Sequence, residues 1–130
     1  DIIMLEKLEP KPLEWVGGSR KALQAFPTEV RYVAGQALWA AQLGKMHEDA
    51  KPLKGFRGAG VVEVVADHDR DTFRAVYTVR MAGVVYVLHA FQKKSKTGIK
   101  TPKKEMDLIK QRLQVAEQHY HENHAKGKKK

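Results

Sequence analysis

Residues 61–91, VVEVVADHDRDTFRAVYTVRMAGVVYVLHAF, decide the fold of this chain. They contain three segments rich in β-branched and aromatic side chains, at residues 61–65, 73–79 and 84–91, and this composition is typical of β-strands. Only a few residues separate the segments, including three aspartates in the first connection and Met81-Ala82-Gly83 in the second. Because connections this short join antiparallel neighbours, the stretch predicts a three-stranded meander.

The chain before the meander is predicted to form one short strand and two helices. Leu13-Glu14-Trp15-Val16 alternates apolar and polar residues before a Gly-Gly turn, which indicates a short edge strand. Ser19 suits the cap of a first helix, and Pro27 suits the first position of a second helix because proline lacks the N–H that would be unpaired there. Apolar residues then follow one helical face, so two helices are predicted over about residues 19–43.

Two further stretches flank the meander. Residues 51–60 contain one proline and three glycines and are predicted to form a loop. Thr101-Pro102 opens a last helix, whose apolar residues recur in steps of three and four. The predicted fold is therefore α+β, with an antiparallel sheet made of the N-terminal strand and the meander, packed by two N-terminal helices and one C-terminal helix. Residues 1–120 form a single domain in this prediction, and residues 121–130 form a basic tail that is predicted to be disordered.

Composition narrows the possible partners. The 130 residues carry a formal net charge of +9, and residues 51–130 contain 18 basic and 8 acidic side chains. An excess of this size predicts a polyanionic partner. The absence of cysteine excludes disulfides, thiolate metal sites and cysteine nucleophiles, and it fits a cytoplasmic protein. No apolar run is long enough for a membrane-spanning helix, so no membrane partner is expected.

Basic residues in and after the meander are the main candidates for chemistry. Residues 93–104 hold six lysines and no acid, and a loop that leaves a sheet strand is a common place for a binding site. Arg74 lies on the less apolar side of its strand by the period of two, and arginine can clamp a phosphate bidentately. The alternatives are a solvated basic loop and an ordinary exposed arginine, paired with Glu63 or with an aspartate of the first turn.

The C-terminal histidines suggest a metal site at first sight. On an α-helix, however, the offsets of two and five between His119, His121 and His124 do not place all three side chains on one face. The carboxylates nearby in sequence are Glu117 and Glu122. A solvated terminus is therefore expected here, with no metal, and the sequence also lacks a glycine-rich phosphate loop, a nucleophile elbow and an HExxH motif.

Several short motifs together resemble one family. They are Trp15-Val16-Gly17-Gly18-Ser19, Phe26-Pro27, Gly35-Gln36-Ala37-Leu38, Leu53-Lys54-Gly55-Phe56, Glu63-Val64, Phe73-Arg74-Ala75-Val76-Tyr77 and Val87-Leu88-His89-Ala90-Phe91-Gln92-Lys93-Lys94-Ser95-Lys96. Over about residues 11–119 the chain resembles the phage-derived, HigB-like branch of the RelE/ParE toxin superfamily. The resemblance implies a type II toxin that cuts messenger RNA on the translating ribosome without a cofactor. A HigA-like helix-turn-helix antitoxin would neutralise it, and operator DNA would be contacted only through their complex.

The resemblance also implies roles for individual residues. Arg74 would clamp the scissile phosphate, and Lys94 would stabilise the transition state or protonate the leaving oxygen. Glu63 and His89 are the candidates that would accept the proton of the attacking 2′-hydroxyl in a metal-independent cleavage. The residues expected to help hold RNA are Lys54, Arg57, Lys93 and Lys96.

One departure from the family pattern keeps other functions open. Many relatives have Glu-Leu-Arg in the first meander strand, where this chain has Glu63-Val64-Val65, so a basic residue is missing from the concave face. A non-catalytic or degenerate protein that binds nucleic acid or the antitoxin is therefore one alternative. A ParE-type gyrase inhibitor with the same fold is another.

Overall fold

The computed structural model describes residues 9–56, 58, 60–93 and 101–125. The strands are β1 (Leu13–Trp15), β2 (Ala50–Pro52), β3 (Val61–His68), β4 (Asp71–Thr78) and β5 (Val85–Lys93), and the helices are α1 (Ser19–Gln24), α2 (Thr28–Gln42) and α3 (Lys103–Tyr120). A π-helical turn, His121–Ala125, continues α3. The predicted α+β class, the meander and the three helices are confirmed. None of the helices in these described ranges is both long and apolar enough to span a membrane.

The five strands form one sheet in the order β1-β5-β4-β3-β2, and the two meander pairings are antiparallel. β1 is an edge strand, as predicted, but it pairs parallel to β5 through Leu13↔Val85 and Trp15↔Val87, so the sheet is mixed rather than wholly antiparallel. Parallel neighbours need a long connection, which the chain between β1 and β5 provides. Alternation within Leu13–Trp15 predicts a strand but contains no information about its direction.

The second difference from the prediction is the strand β2, which lies at the start of the stretch predicted to be a loop. It pairs antiparallel with β3 through Ala50↔Val64 and Pro52↔Val62. Proline is tolerated here because β2 is an edge strand, where one N–H would have no ladder partner. Residues 51 and 52 therefore belong to a strand, although the proline and glycine content of residues 51–60 predicts a loop.

The sheet separates two layers of apolar packing. One face of β4, with Phe73, Ala75 and Tyr77, packs against α1 and α2, and the other, with Val76, packs against α3. The alternation places Arg74 and Thr78 on the α3 side as well. The predicted direction of the Arg74 side chain therefore agrees with the structure. Ser19, predicted as a helix cap, is instead the first residue of α1, and its buried hydroxyl donates to the Val87 carbonyl over 3.1 Å.

A β-bulge shapes the α3 side of β5. Val76 pairs with His89 and Tyr77 pairs with Val87, so Leu88 is the extra residue. Leu88 packs in the α3 layer, and the neighbouring His89 also faces α3, where its ring contacts Glu105. After the bulge, Ala90 belongs to the α1–α2 side and Phe91 to the α3 side, which confirms that His89 and Phe91 share a face.

The start of the predicted disordered tail has regular structure. Residues His121–Ala125 form the π-helical turn, and His124 Nε2 lies 3.2 Å from Glu14 Oε2 of β1. Residues 126–130 lie outside the described residues.

Substitutions at two glycines test whether the backbone requires glycine at each position. Gly60 has φ +61°, and a Cβ added there would lie 3.1 Å from the backbone nitrogen of Arg80. Gly60→Ala should therefore lower the free energy of unfolding by about 1–2 kcal/mol in urea titrations. Gly35 is an exposed residue inside α2 with nothing within 4 Å of such a Cβ. Gly35→Ala should raise the free energy of unfolding by about 0.5–1 kcal/mol, and destabilisation by both changes would contradict this account.

Candidate functional site

A cavity of about 440 Å³ opens on the α3 side of the sheet. Its wall combines β2 and the residues after it, the middle strands and the start of α3. The residues that line it are Lys51, Pro52, Leu53, Lys54, Gly55, Glu63, Arg74, Thr101 and Met106. Three of them are cationic and one is anionic, so a small anionic group is the ligand that this wall suits best.

A buried ion pair lies in the cavity wall. Arg74 Nη1 donates to Glu63 Oε2 over 2.9 Å, and the two side chains are only 7% and 6% exposed. Arg74 Nη1 also lies 3.3 Å from the Thr101 hydroxyl, and Lys51 Nζ lies 4.0 Å from Glu63 Oε1. Arg74 is therefore paired with Glu63, as one alternative for this arginine proposed, but Arg74 is buried rather than exposed. Taking both charges out of water is costly, and their mutual contact offsets that cost.

The departure from the family pattern lies directly beside Arg74. In the strand register Val65 of β3 is opposite Arg74, and Phe91 of β5 is opposite it on the other side. Arg74 is thus flanked on both neighbouring strands by an apolar residue on the same face of the sheet. A basic residue at position 65 would have placed a second cation next to Arg74.

His89 lies on the same side of the sheet but is held by α3. Its Nε2 is 2.7 Å from Glu105 Oε1, and Arg112 Nη1 lies 3.4 Å from its Nδ1 and donates to the Leu88 carbonyl over 2.9 Å. Burial lowers the pKa of His89, against the opposing effect of Glu105. A neutral ring protonated at Nε2 satisfies both contacts, because Nε2–H donates to the carboxylate and Nδ1 accepts from the guanidinium.

The predicted lysines and arginine differ in how the structure places them. Lys54 is exposed and lines the cavity. Lys93 is 8% exposed at the end of β5, where it pairs in the sheet with Thr72. The other three candidates, Arg57, Lys94 and Lys96, lie outside the described residues. The structure therefore brings Lys54, Glu63 and Arg74 together and places His89 under α3.

Two residues at the site were not among the sequence candidates. Lys51 is opposite Glu63 in the β2–β3 register, and Thr101 precedes α3 and contacts Arg74. Lys51 could have been found only by recognising β2 as a strand. Thr101 carries no local signal for a contact with Arg74, because the two residues are 27 positions apart in the chain.

Comparisons with known proteins find a family model and solved structures that are similar to this chain. A family model described as "Phage derived protein Gp49-like (DUF891)" matches residues 21–114. A mutant of the E. coli toxin RelE in the free state is 14% identical with a TM-score of 0.51, over 83% of this chain and 98% of that chain. A chain of the toxin–antitoxin complex RelBE2 from Mycobacterium tuberculosis is 18% identical with a TM-score of 0.43, over 68% of this chain and 98% of that chain. No curated protein sequence matches. The likeness to the RelE structure shows a RelE-like fold.

The buried ion pair gives a stability prediction. Arg74→Met leaves the Glu63 carboxylate buried without its closest cation, so the free energy of unfolding should fall by about 3–5 kcal/mol. The double variant Arg74→Met with Glu63→Leu should recover most of that loss. Arg80→Met is the control because Arg80 is half exposed in its pair with Glu117, and it should cost less than about 1 kcal/mol. Equal losses in the single and double variants would contradict the pairing.

The environment of His89 gives a pH prediction. Because its pKa is lowered from 6.5 on folding, the unfolded chain takes up a proton first as the solution is acidified. The contribution of His89 to stability is therefore complete above pH 6.5 and falls as the pH drops below that value. His89→Gln, which does not titrate, should reduce the loss of unfolding free energy between pH 7 and about pH 5 in urea titrations. The same pH dependence in both proteins would contradict a buried neutral His89.

Proposed function

The chain belongs to the phage-derived Gp49-like family, and from this membership and its RelE-like fold we propose that it is the toxin of a type II toxin–antitoxin pair that cleaves RNA. The observation that carries the proposal is the buried Arg74–Glu63 pair in a cavity with two further lysines. Such a site offers an anion a guanidinium that is already desolvated and oriented.

The first step is binding of an RNA phosphate in the cavity. Arg74 is held by the Glu63 carboxylate, so a phosphate oxygen competes with that carboxylate for the guanidinium. Lys51 and Lys54 add positive charge to the wall and draw the backbone in. When the phosphate takes over Arg74, the Glu63 carboxylate loses its closest partner and becomes available as a base.

The second step is cleavage. The 2′-hydroxyl oxygen bonds to phosphorus while the bond from phosphorus to the 5′-oxygen breaks, and the products are a cyclic phosphate and a 5′-hydroxyl. Glu63 accepts the 2′-hydroxyl proton, Arg74 stabilises the charge on the phosphorane-like transition state, and Lys94 donates a proton to the leaving oxygen. Glu63 is favoured over His89 as the base because it lines the cavity, whereas both ring nitrogens of His89 are in contact with α3 residues.

The proposed substrate and partner are those that the family resemblance implies, and the charge of the chain supports them. Messenger RNA on the ribosome is the proposed substrate, with Lys54, Arg57 and Lys96 holding its backbone and Lys93, which is 8% exposed, adding positive charge. A net charge of +9 favours a polyanionic substrate and an antitoxin that covers part of the basic surface. The proposed antitoxin is a HigA-like helix-turn-helix protein, and operator DNA is bound through the complex. The cytoplasm is the proposed location because both partners are there.

A non-catalytic antitoxin-binding or nucleic-acid-binding protein is the second candidate. It is favoured by Val65, which leaves the position opposite Arg74 on β3 without a basic residue, and by the engagement of Arg74 with Glu63. This candidate keeps the basic surface and the binding of RNA but predicts no cleavage. Strand breaks in messenger RNA therefore separate the two functions.

Inducible expression with primer extension on messenger RNA tests the proposal. The wild-type chain should arrest growth and produce new RNA 5′ ends, and Arg74→Lys and Lys94→Ala should each reduce cleavage by about 100-fold or more. Arg74→Lys weakens stabilisation of the transition-state charge, and Lys94→Ala removes the proton donor for the leaving oxygen. Arg20→Ala is the matched control, since Arg20 is an exposed arginine on α1, on the other side of the sheet. It should cleave as the wild type does.

Three results would contradict the proposal. Intact RNA after wild-type expression would exclude the nuclease, and growth arrest with intact RNA but inhibited DNA gyrase would favour a ParE-type activity. Equal cleavage by wild type, Arg74→Lys and Lys94→Ala would show that the site is elsewhere. Thermal melts of the purified variants distinguish loss of activity from loss of folding.

A further inference from the structure

Three potential metal ligands converge at the far end of α3, away from the cavity. Glu14 of β1, His119 of α3 and His124 of the π-helical turn each offer one ligand atom, and these atoms lie within 4.8 Å of one another. His124 Nε2 and Glu14 Oε2 are 3.2 Å apart, and the two imidazole ring centres are 5.8 Å apart. No metal is expected here from the local sequence, because residues 117–124 indicate neither the approach of Glu14 nor the π-helical turn.

The π-helical turn is what brings the two histidines together. On a regular α-helix, residues five apart point in different directions, which is why the sequence spacing indicated no shared face. A π-helix has i→i+5 hydrogen bonds and therefore more residues per turn than an α-helix, so residues five apart differ less in direction than they do on an α-helix. His119 lies in the last turn of α3 and His124 lies in the π-helical turn that follows, and their ligand atoms and that of Glu14 lie within 4.8 Å of one another. Isolated π-helical turns are rare and frequently occur at functional sites.

We propose that Glu14, His119 and His124 form a binding site for a divalent transition-metal ion of the Zn²⁺ class. Two imidazole nitrogens and one carboxylate oxygen are a typical zinc ligand set, with the fourth position left to water or to another group. Bonds of about 2.0–2.2 Å in a tetrahedral site hold ligand atoms roughly 3.3 Å apart. The His124–Glu14 pair already has this separation. Magnesium is excluded as the preferred ion because it selects oxygen ligands.

The surroundings orient the ligands. The Tyr86 hydroxyl lies 2.7 Å from His119 Nδ1, which leaves Nε2 as the ring nitrogen for the metal. Such hydrogen bonds to the second nitrogen of a ligating histidine fix its tautomer and ring orientation. Tyr120 stacks on the His124 ring with an angle of 13° between the ring planes.

A metal at this site would join two distant parts of the chain. β1 is the edge strand at one side of the sheet, and α3 covers the face that carries the cavity. Binding would therefore fix the end of α3 against the sheet, and it would stabilise the folded state because the three ligands are together only after folding. This proposal is independent of the proposed function, since it uses none of the residues that line the cavity.

Metal titrations on the full chain, purified without a polyhistidine tag, test the site. We expect one Zn²⁺ per chain by calorimetry, a tetrahedral absorption spectrum with Co²⁺, and no binding of Mg²⁺. Glu14→Gln and His124→Ala should each weaken Zn²⁺ binding by at least about 10-fold. His121→Ala is the matched control, because His121 is an exposed histidine of the same turn and lies outside the cluster.

Two results would contradict the proposed metal site. Failure of the wild-type chain to bind Zn²⁺ at 100 μM would overturn the proposal. Loss of affinity in His121→Ala equal to that in His124→Ala would also overturn it, because it would indicate binding by any histidine-rich chain end. As a second readout, Zn²⁺ should raise the melting temperature of the wild type and of His121→Ala but not that of His124→Ala.

Discussion

The interaction on which the site depends is the buried contact between Arg74 and Glu63. An arginine and a glutamate that are each less than 10% exposed have lost most of their hydration, and only their mutual contact and the polar groups around them compensate. The arrangement needs both charges, because removing either one leaves the other buried. It also leaves the guanidinium desolvated and in place before any substrate arrives, which is what recognition of a phosphate requires. In the proposed mechanism, the contact that compensates two buried charges therefore also prepares the anion site.

The remaining architecture serves to place this pair in a cavity. The meander puts Glu63 and Arg74 on adjacent strands, and β2 adds Lys51 beside Glu63. α3 packs on the same face through its apolar stripe, so the start of the helix closes the cavity with Thr101 and Met106. The same helix holds His89 through Glu105, which removes this histidine from the open part of the face. The position of α3 therefore controls which groups of the sheet reach a ligand.

Much of the fold could be predicted from the sequence because the elements concerned depend on local sequence patterns. The β-rich segments with short connections specify the meander, and the period of two in β4 placed Arg74 on the correct face. Features that depend on distant partners did not follow: the direction of β1, the pairing of β2 and the bulge at Leu88. The histidine pair was missed for a related reason. A helical wheel assumes a regular α-helix, and neither the π-helical turn nor the carboxylate of Glu14, about 100 residues away, is visible in the local sequence. For the candidate site, no local pattern indicated that Arg74 would be buried or that Thr101 would contact it.

In the proposed mechanism, an RNA phosphate displaces Glu63 from Arg74. The most direct measurement is the affinity for an RNA oligonucleotide whose 2′-O-methyl groups prevent cleavage, compared among wild type, Glu63→Gln and Arg74→Lys at fixed salt. We expect tighter binding by Glu63→Gln, because the competing carboxylate charge is gone, and weaker binding by Arg74→Lys, because the bidentate clamp is lost. Glu63→Gln should at the same time cleave unmodified RNA more slowly than the wild type. Equal affinities in all three proteins, or weaker binding by Glu63→Gln, would contradict the claim.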